Sequence, residues 1–279
     1  MRPFLSALVV CCCACGASTT GPTITPPNPW TLVWSDDFEG HAGALPDASK
    51  WVLETGTGPN KDGWGNAELE TYTARPDNVS LDGQGHLVLT AKREALDGAQ
   101  YTSARLTTQG LFTAKYGKLE ARMKLPNAKG LWPAFWMLGA NLATSPWPAC
   151  GEIDVMELRG SIPQTAIGSL HGPEYFGGSA ISKKFTLAQG TFDQDFHVFG
   201  VQWDPALISF SVDDQIYQTV NAQTLLAGNR TWVYDHPFFV ILNLAVGGTF
   251  LGSTGQPDSN TPFPQTMTVD WVRAWQRAP

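Results

Sequence analysis

The segment Gly151-Glu152-Ile153-Asp154-Val155-Met156-Glu157-Leu158 sets three carboxylates among Ile, Val and Met. Side chains on a strand alternate between faces, so Glu152 and Asp154 share one face. Glu157 is five residues past Glu152 and falls on the opposite face of a regular strand. One extra residue, a β-bulge near Val155-Met156, restores its parity, and all three acids then project together. Like charges held that close raise one another's pKa, a costly arrangement unless it is used. Retaining glycoside hydrolysis uses it: one carboxylate attacks the anomeric carbon while a second, kept protonated, donates to the leaving oxygen. That chemistry wants the two about 5–5.5 Å apart. Same-face strand neighbours sit about 6.6 to 7 Å apart at Cα, and the outer pair about twice that, so the bulge and side-chain convergence must close the gap. The middle acid can share a proton with the nucleophile and tune its charge. The plainer alternative is a solvated strand face of alternating acids.

The elements that must hold these acids read as strands. His86–Thr90, Lys118–Leu125 and Leu207–Val212 alternate with period two, and Asp213-Asp214 offers a hairpin turn after the last. Phe238–Val246 is a continuous apolar run suited to a strand covered on both faces, and Thr268–Trp275 alternates again as a closing strand. Gln223–Ala227 makes at most one helical turn. Many short strands punctuated by Gly, Pro, Asn and Asp predict an all-β fold of two packed antiparallel sheets.

Composition narrows the partners. Asp and Glu number 25 against 18 Lys and Arg, a net charge of −7, which excludes a polyanion-binding surface built on clustered cations. Eleven Trp and 14 Phe beside 28 Gly and 20 Pro predict short strands and aromatic-lined surfaces, not a helical bundle. Four of the five cysteines lie at Cys11, Cys12, Cys13 and Cys15, and the fifth is Cys150, so neither a disulfide framework nor a zinc site can be built in the domain. Cys150, beside three acids, reads as a small core residue and not a thiolate. Residues 1–15 read as a signal peptide, with Arg2 before the short apolar run Phe4–Cys13. Cys15, followed by Gly16, resembles a bacterial lipoprotein attachment cysteine, although Cys12 stands where Leu is usual. Lipidation there implies membrane anchoring through an N-terminal lipid, and its absence implies plain secretion. Residues 16–29 form a Pro- and Thr-rich linker, and residues 30–279 form one catalytic domain.

Gly151–Glu157 resembles the active-site signature of family-16 glycoside hydrolases in its longer E-x-D-x-x-E form, found in laminarinases and also in agarases and carrageenases. Trp34–Phe38, Gly63–Glu68 with Tyr72-Thr73, Tyr116–Arg122, Leu131–Gly139, Phe196–Val198 with Trp203, Asn243–Gly248 and Val269–Arg273 resemble the laminarinase branch, in order. The resemblance implies a concanavalin-like β-jelly-roll sandwich of two curved antiparallel sheets with a concave substrate cleft. It implies Glu152 as nucleophile, Asp154 as its partner and Glu157 as acid/base. It places Trp132 and Trp136 along the donor subsites, and Asn66, Arg105 and His171 as substrate-binding residues, with Trp64 framing the same subsites. It implies a structural Ca²⁺ held by Glu39, Gly85 and Asp270 on the convex face, and no cofactor for the chemistry.

The expected activity is that of a retaining endo-β-1,3-glucanase, a monomer acting on a neutral β-1,3-glucan polysaccharide, with no nucleic-acid partner. Mixed-linkage glucan or agar-type galactan are the alternative substrates. A non-catalytic glucan-binding module is the alternative class, disfavoured because all three acids are present.

Overall fold

The computed structural model describes residues 30–277. The readings on residues 1–29, Cys15 included, lie outside the described residues. Two antiparallel sheets form the body. In the first, strands run in the order Gln215–Asn221, Leu207–Val212, His197–Trp203, Gly117–Lys124, Gln265–Arg277, Leu87–Ala91 and Val79–Leu81, and Trp30–Asp36 also pairs with Gln265–Arg277. In the second the order is Ile181–Thr186, Thr165–His171, Glu152–Leu158, Leu131–Gly139, Phe238–Val246, Arg105–Thr107 and Val52–Glu54. A short parallel pair, Glu70–Tyr72 with Tyr101–Ser103, joins them. This is the two-sheet sandwich expected.

Alternation explains which face does what. Leu119, Ala121 and Met123 of the first sheet, and Phe135, Met137, Ile153, Leu242 and Leu244 of the second, are fully buried in one core. Burying such side chains contributes about 1.5–3 kcal/mol each for the larger ones. The residues between them on the second sheet, Trp132, Trp136, Asn243 and Arg105, therefore stand on its outer face. A smaller apolar cluster of Leu138, Cys150, Phe239 and Ile241 packs at one end of that outer face.

The strand boundaries follow the sequence pattern closely. Leu207–Val212 and Phe238–Val246 form as expected, the latter buried along its whole length. Asp213 and Asp214 both take positive φ, 48° and 63°, the geometry of a two-residue hairpin turn that matches strand twist. The helical turn forms as Ala222–Ala227, capped by the Asn221 side chain.

Candidate active site

The strand Glu152–Leu158 is bulged where the carboxylate spacing requires it. Its register shifts between Asp154 and Met156 against Leu131–Gly139, and between Asp154 and Glu157 against Thr165–His171. Glu152 pairs with His171, Asp154 with Ser169 and Glu157 with Ile167, so the three acids rise from one face. Ile153, Val155, Met156 and Leu158 bury in the opposite direction. The bulge thus converts an odd spacing into a common direction.

Each outer acid carries an indole N–H. Trp147 Nε1 donates to Glu152 Oε2 at 2.8 Å. Trp132 Nε1 donates to Glu157 Oε1 at 3.1 Å, and Ser169 Oγ reaches Glu157 Oε2 at 3.4 Å. Asp154 is 3% exposed, and its Oδ2 has no hydrogen-bond partner. His171 Nε2 lies 3.0 Å from that oxygen but off the hydrogen-bond axis, and 3.6 Å from Glu152 Oε1. The Gly177 N–H donates to His171 Nδ1 at 3.1 Å. That nitrogen is therefore bare, and the ring's proton sits on Nε2, facing the acids.

Burial raises all three acids. It pushes Glu152 up to about 8, helped by the charge of Asp154, and Glu157 up to about 7, helped by the charge of Glu152. Asp154 is raised well above its usual range by burial and then by Glu157. The three hold protons in common near neutrality. Donor geometry decides where the protons rest. Glu152 has an indole N–H and an imidazole N–H near it, both of which favour the anion. His171 Nε2 lies nearer Asp154 Oδ2, at 3.0 Å, than Glu152 Oε1, at 3.6 Å, so the imidazole serves both, and Glu152 and Asp154 share one proton and one charge between them. The charge on that pair in turn favours the protonated form of Glu157. An anion beside a protonated partner is the arrangement double displacement needs.

A model of the family described as glycosyl hydrolases family 16 matches residues 67–273. The chain belongs to glycoside hydrolase family 16. It is 43% identical to the laminarinase catalytic domain of Thermotoga maritima, with a TM-score of 0.84 over 90% of this chain and 100% of that one. It is 44% identical to the endo-β-1,3-glucanase of Pyrococcus furiosus, TM-score 0.83, over 89% of this chain and 95% of that one. A β-glucanase of Rhodothermus marinus is 39% identical over 88% of this chain and 85% of its own length.

In this family-16 domain the remaining expected binding residues sit on or beside the same sheet face, though several are already engaged. Trp136 Nε1 donates to Asn243 Oδ1 at 2.7 Å. Asn243 Nδ2 donates to Tyr72 Oη at 3.1 Å, and Tyr72 Oη to Glu68 Oε2 at 2.9 Å. Asn66 Nδ2 donates to Glu68 Oε1 at 3.1 Å, so one chain of hydrogen bonds ties Asn66 to Trp136. Asn66 lies in the tight turn Gly63–Ala67, closed by the Asp62 side chain accepting from Gly65 N–H. Arg105 is 7% exposed, donates to Glu54 at 2.6 Å, and lies between the rings of Trp64 and Trp136 at 4.3 and 4.9 Å. It holds those indoles in place as much as it faces outward. Trp132 stacks on Phe250 at 4.7 Å, so one of its faces is covered. Gly248, at φ 94°, abuts the same ring, and a Cβ there would come within 3.0 Å of it.

Of the three residues expected to hold calcium, Glu39 and Gly85 are neighbours: Glu39 Oε1 lies 3.6 Å from where a Gly85 Cβ would stand. Asp270 spends Oδ2 on Arg122 at 2.5 Å, so a guanidinium already answers that carboxylate. Cys150 is fully buried, and its thiol is pushed up to about 11 by burial and then by Glu152, as its position beside the acids predicts.

Sequence reasoning missed Trp147, the donor to Glu152, because it lies before the strand in a Pro-flanked loop without periodicity. It also gave no role to Glu68, Tyr72, Asn243 or Ser169. Their positions follow only from sheet pairing over long separations.

Proposed function

We propose that this chain is a retaining endo-β-1,3-glucanase, with Glu152 as nucleophile and Glu157 as acid/base. The bulged strand that turns all three acids to one face, with an indole N–H on each outer acid, supports the reading most directly. Glu152 attacks the anomeric carbon, forming a C–O bond as the glycosidic C–O bond breaks. The Glu157 proton moves to the departing oxygen. Water then enters on the same face, gives its proton to Glu157, and displaces Glu152, restoring both carboxyls with configuration retained. Asp154 holds a proton beside the nucleophile. His171 offers Nε2–H to the pair.

The substrate assignment is supported by the named laminarinases to which the chain is similar, and by the outer sheet face. That face offers Trp136, Trp147 and polar Asn66, and few basic groups for a sulfated chain. The test is product analysis on laminarin, curdlan, barley mixed-linkage glucan and agarose, with wild type beside Glu152→Ser. Oligosaccharides from laminarin that vanish in the variant are expected; products from agarose alone would overturn the substrate.

The same reading includes export, with Cys15 either acylated or removed with the leader, and a monomeric enzyme. Mass of the purified N-terminus and light scattering decide these. It also includes a structural cation at Glu39, Gly85 and Asp270. Two carboxylates against the single Arg122 guanidinium leave the donor set negative. A melting temperature unchanged by a chelator removes the cation from the reading.

A further inference from the structure

Arg159 follows the catalytic strand by one residue and lies two past Glu157. Its Nε is buried without a hydrogen-bond partner among the described residues. A buried, unmatched donor is costly, so something else must fix this side chain. Its guanidinium lies over the ring of Phe250 at 4.5 Å. Phe250, in the turn Thr249–Leu251, stacks on Trp132 at 4.7 Å with the planes 22° apart. Trp132 Nε1 donates to Glu157 Oε1. Cation, ring, indole and carboxylate form one continuous column, and its last contact is the hydrogen bond that holds down the pKa of Glu157 against burial and the charge of Glu152.

We propose that Arg159 is a positioning residue for the acid/base, acting through Phe250 and Trp132 on Glu157; this rests on Glu157 being the acid/base as proposed above. The guanidinium caps the outer face of Phe250 and so fixes the turn that carries it. Phe250 walls one face of Trp132, and Gly248 leaves room for the ring against the backbone. The indole then has one orientation, with its N–H on Glu157. The other groups facing Glu157 are Glu152 and Asp154 on its own strand, Ser169 and His171 on the next, and Tyr217 behind. Ser169 meets the column only at its Glu157 end.

Loss of the indole bond raises the pKa of Glu157 and moves the alkaline limb of the kcat/KM profile to higher pH. Trp132→Phe is expected to move that limb by about one unit, the scale of one hydrogen bond to a carboxylate. Phe250→Leu and Arg159→Lys are expected to move it about half as far, both keeping the positive charge at 159 or leaving it untouched. That separates positioning from direct charge, since a charge effect alone leaves both profiles at the wild-type position. The double variant Trp132→Phe/Phe250→Leu is expected to match Trp132→Phe alone, because both act through one bond. Additive shifts, or an unmoved limb in Phe250→Leu and Arg159→Lys while Trp132→Phe moves, overturn the proposal. An unmoved limb in Trp132→Phe also overturns the proposal, whereas laminarin hydrolysis retained in Glu157→Gln overturns the assignment of Glu157 beneath it. Melting curves for each variant exclude loss of fold as the cause.

Discussion

Trp147→Phe is the sharpest perturbation of the nucleophile that leaves the acids untouched. The indole N–H reaches Glu152 Oε2 at 2.8 Å, while the ring packs edge-on against Phe176 at 5.3 Å. Phenylalanine keeps the ring contact and removes only the donor. A hydrogen bond to a charged group contributes about 1.5–3 kcal/mol, and about 1.4 kcal/mol corresponds to one pKa unit. Trp147 is 43% exposed, so water can take the place of the lost donor, which puts the effect at the lower end. The pKa of Glu152 should therefore rise by about one unit. Double displacement needs Glu152 ionised in the free enzyme, so the acid limb of kcat/KM on laminarin moves up by that unit. Below the limb the rate falls about tenfold, and above it the variant approaches wild type. The assay is initial release of reducing ends across the pH range, with a melting curve at each end. An acid limb that stays in place, or a uniform loss at every pH, refutes the claim that this N–H stabilises the ionised nucleophile.

Glu70 gives a second, structural pH dependence. It is fully buried against Glu68, with Oε1 unpartnered, and burial followed by the Glu68 charge raises its pKa well above the usual range. The folded state then keeps a proton that the unfolded chain has lost, so its contribution to stability falls as pH rises past the ordinary carboxylate range. Glu70→Gln should flatten the alkaline fall of the melting temperature; an unchanged slope counts against it. Asn243→Ala removes the acceptor for Trp136 and the donor to Tyr72, and should cost about 1–3 kcal/mol of stability with a raised KM, read by denaturant titration and laminarin kinetics. Deleting Met156 removes the bulge yet leaves Glu157 four residues past Glu152, on the same face of a regular strand, so measurable laminarin hydrolysis should survive, and complete loss in a folded variant would contradict the parity argument.

The sequence carried the site further than it carried the site's supports. The acids, their bulge and both sheets were legible because alternation is a local property: Ile153 and Leu158 are apolar in step with the core, and Glu152 and Asp154 acidic in step with the outer face. Arg105 and Trp132 were legible as outer-face residues but not in their contacts. Arg105 meets Glu54 across a separation of 51 residues, and Trp136 meets Asn243 across 107, distances at which no periodicity speaks. The same holds for Asp270, whose Arg122 partner is 148 residues away. The protonation order within the acids was legible only in outline, since it depends on which acid receives a donor.

That dependence gives the site its logic. Three equivalent acids in one buried cluster would share their protons without distinction, and no acid would be reliably ionised. Trp147 on Glu152 and Trp132 on Glu157 come from different segments, so each outer carboxyl has a donor of its own. Asp154, paired across the strand with Ser169 and 3.0 Å from His171 Nε2, shares the surplus proton with Glu152. Glu152 is thus favoured as the anion by the Trp147 donor and by a buried acidic neighbour that competes for the proton. Burial of Asp154 at 3% exposure is then a working part of the catalyst, because an exposed aspartate at that position would ionise readily and push the proton back onto Glu152.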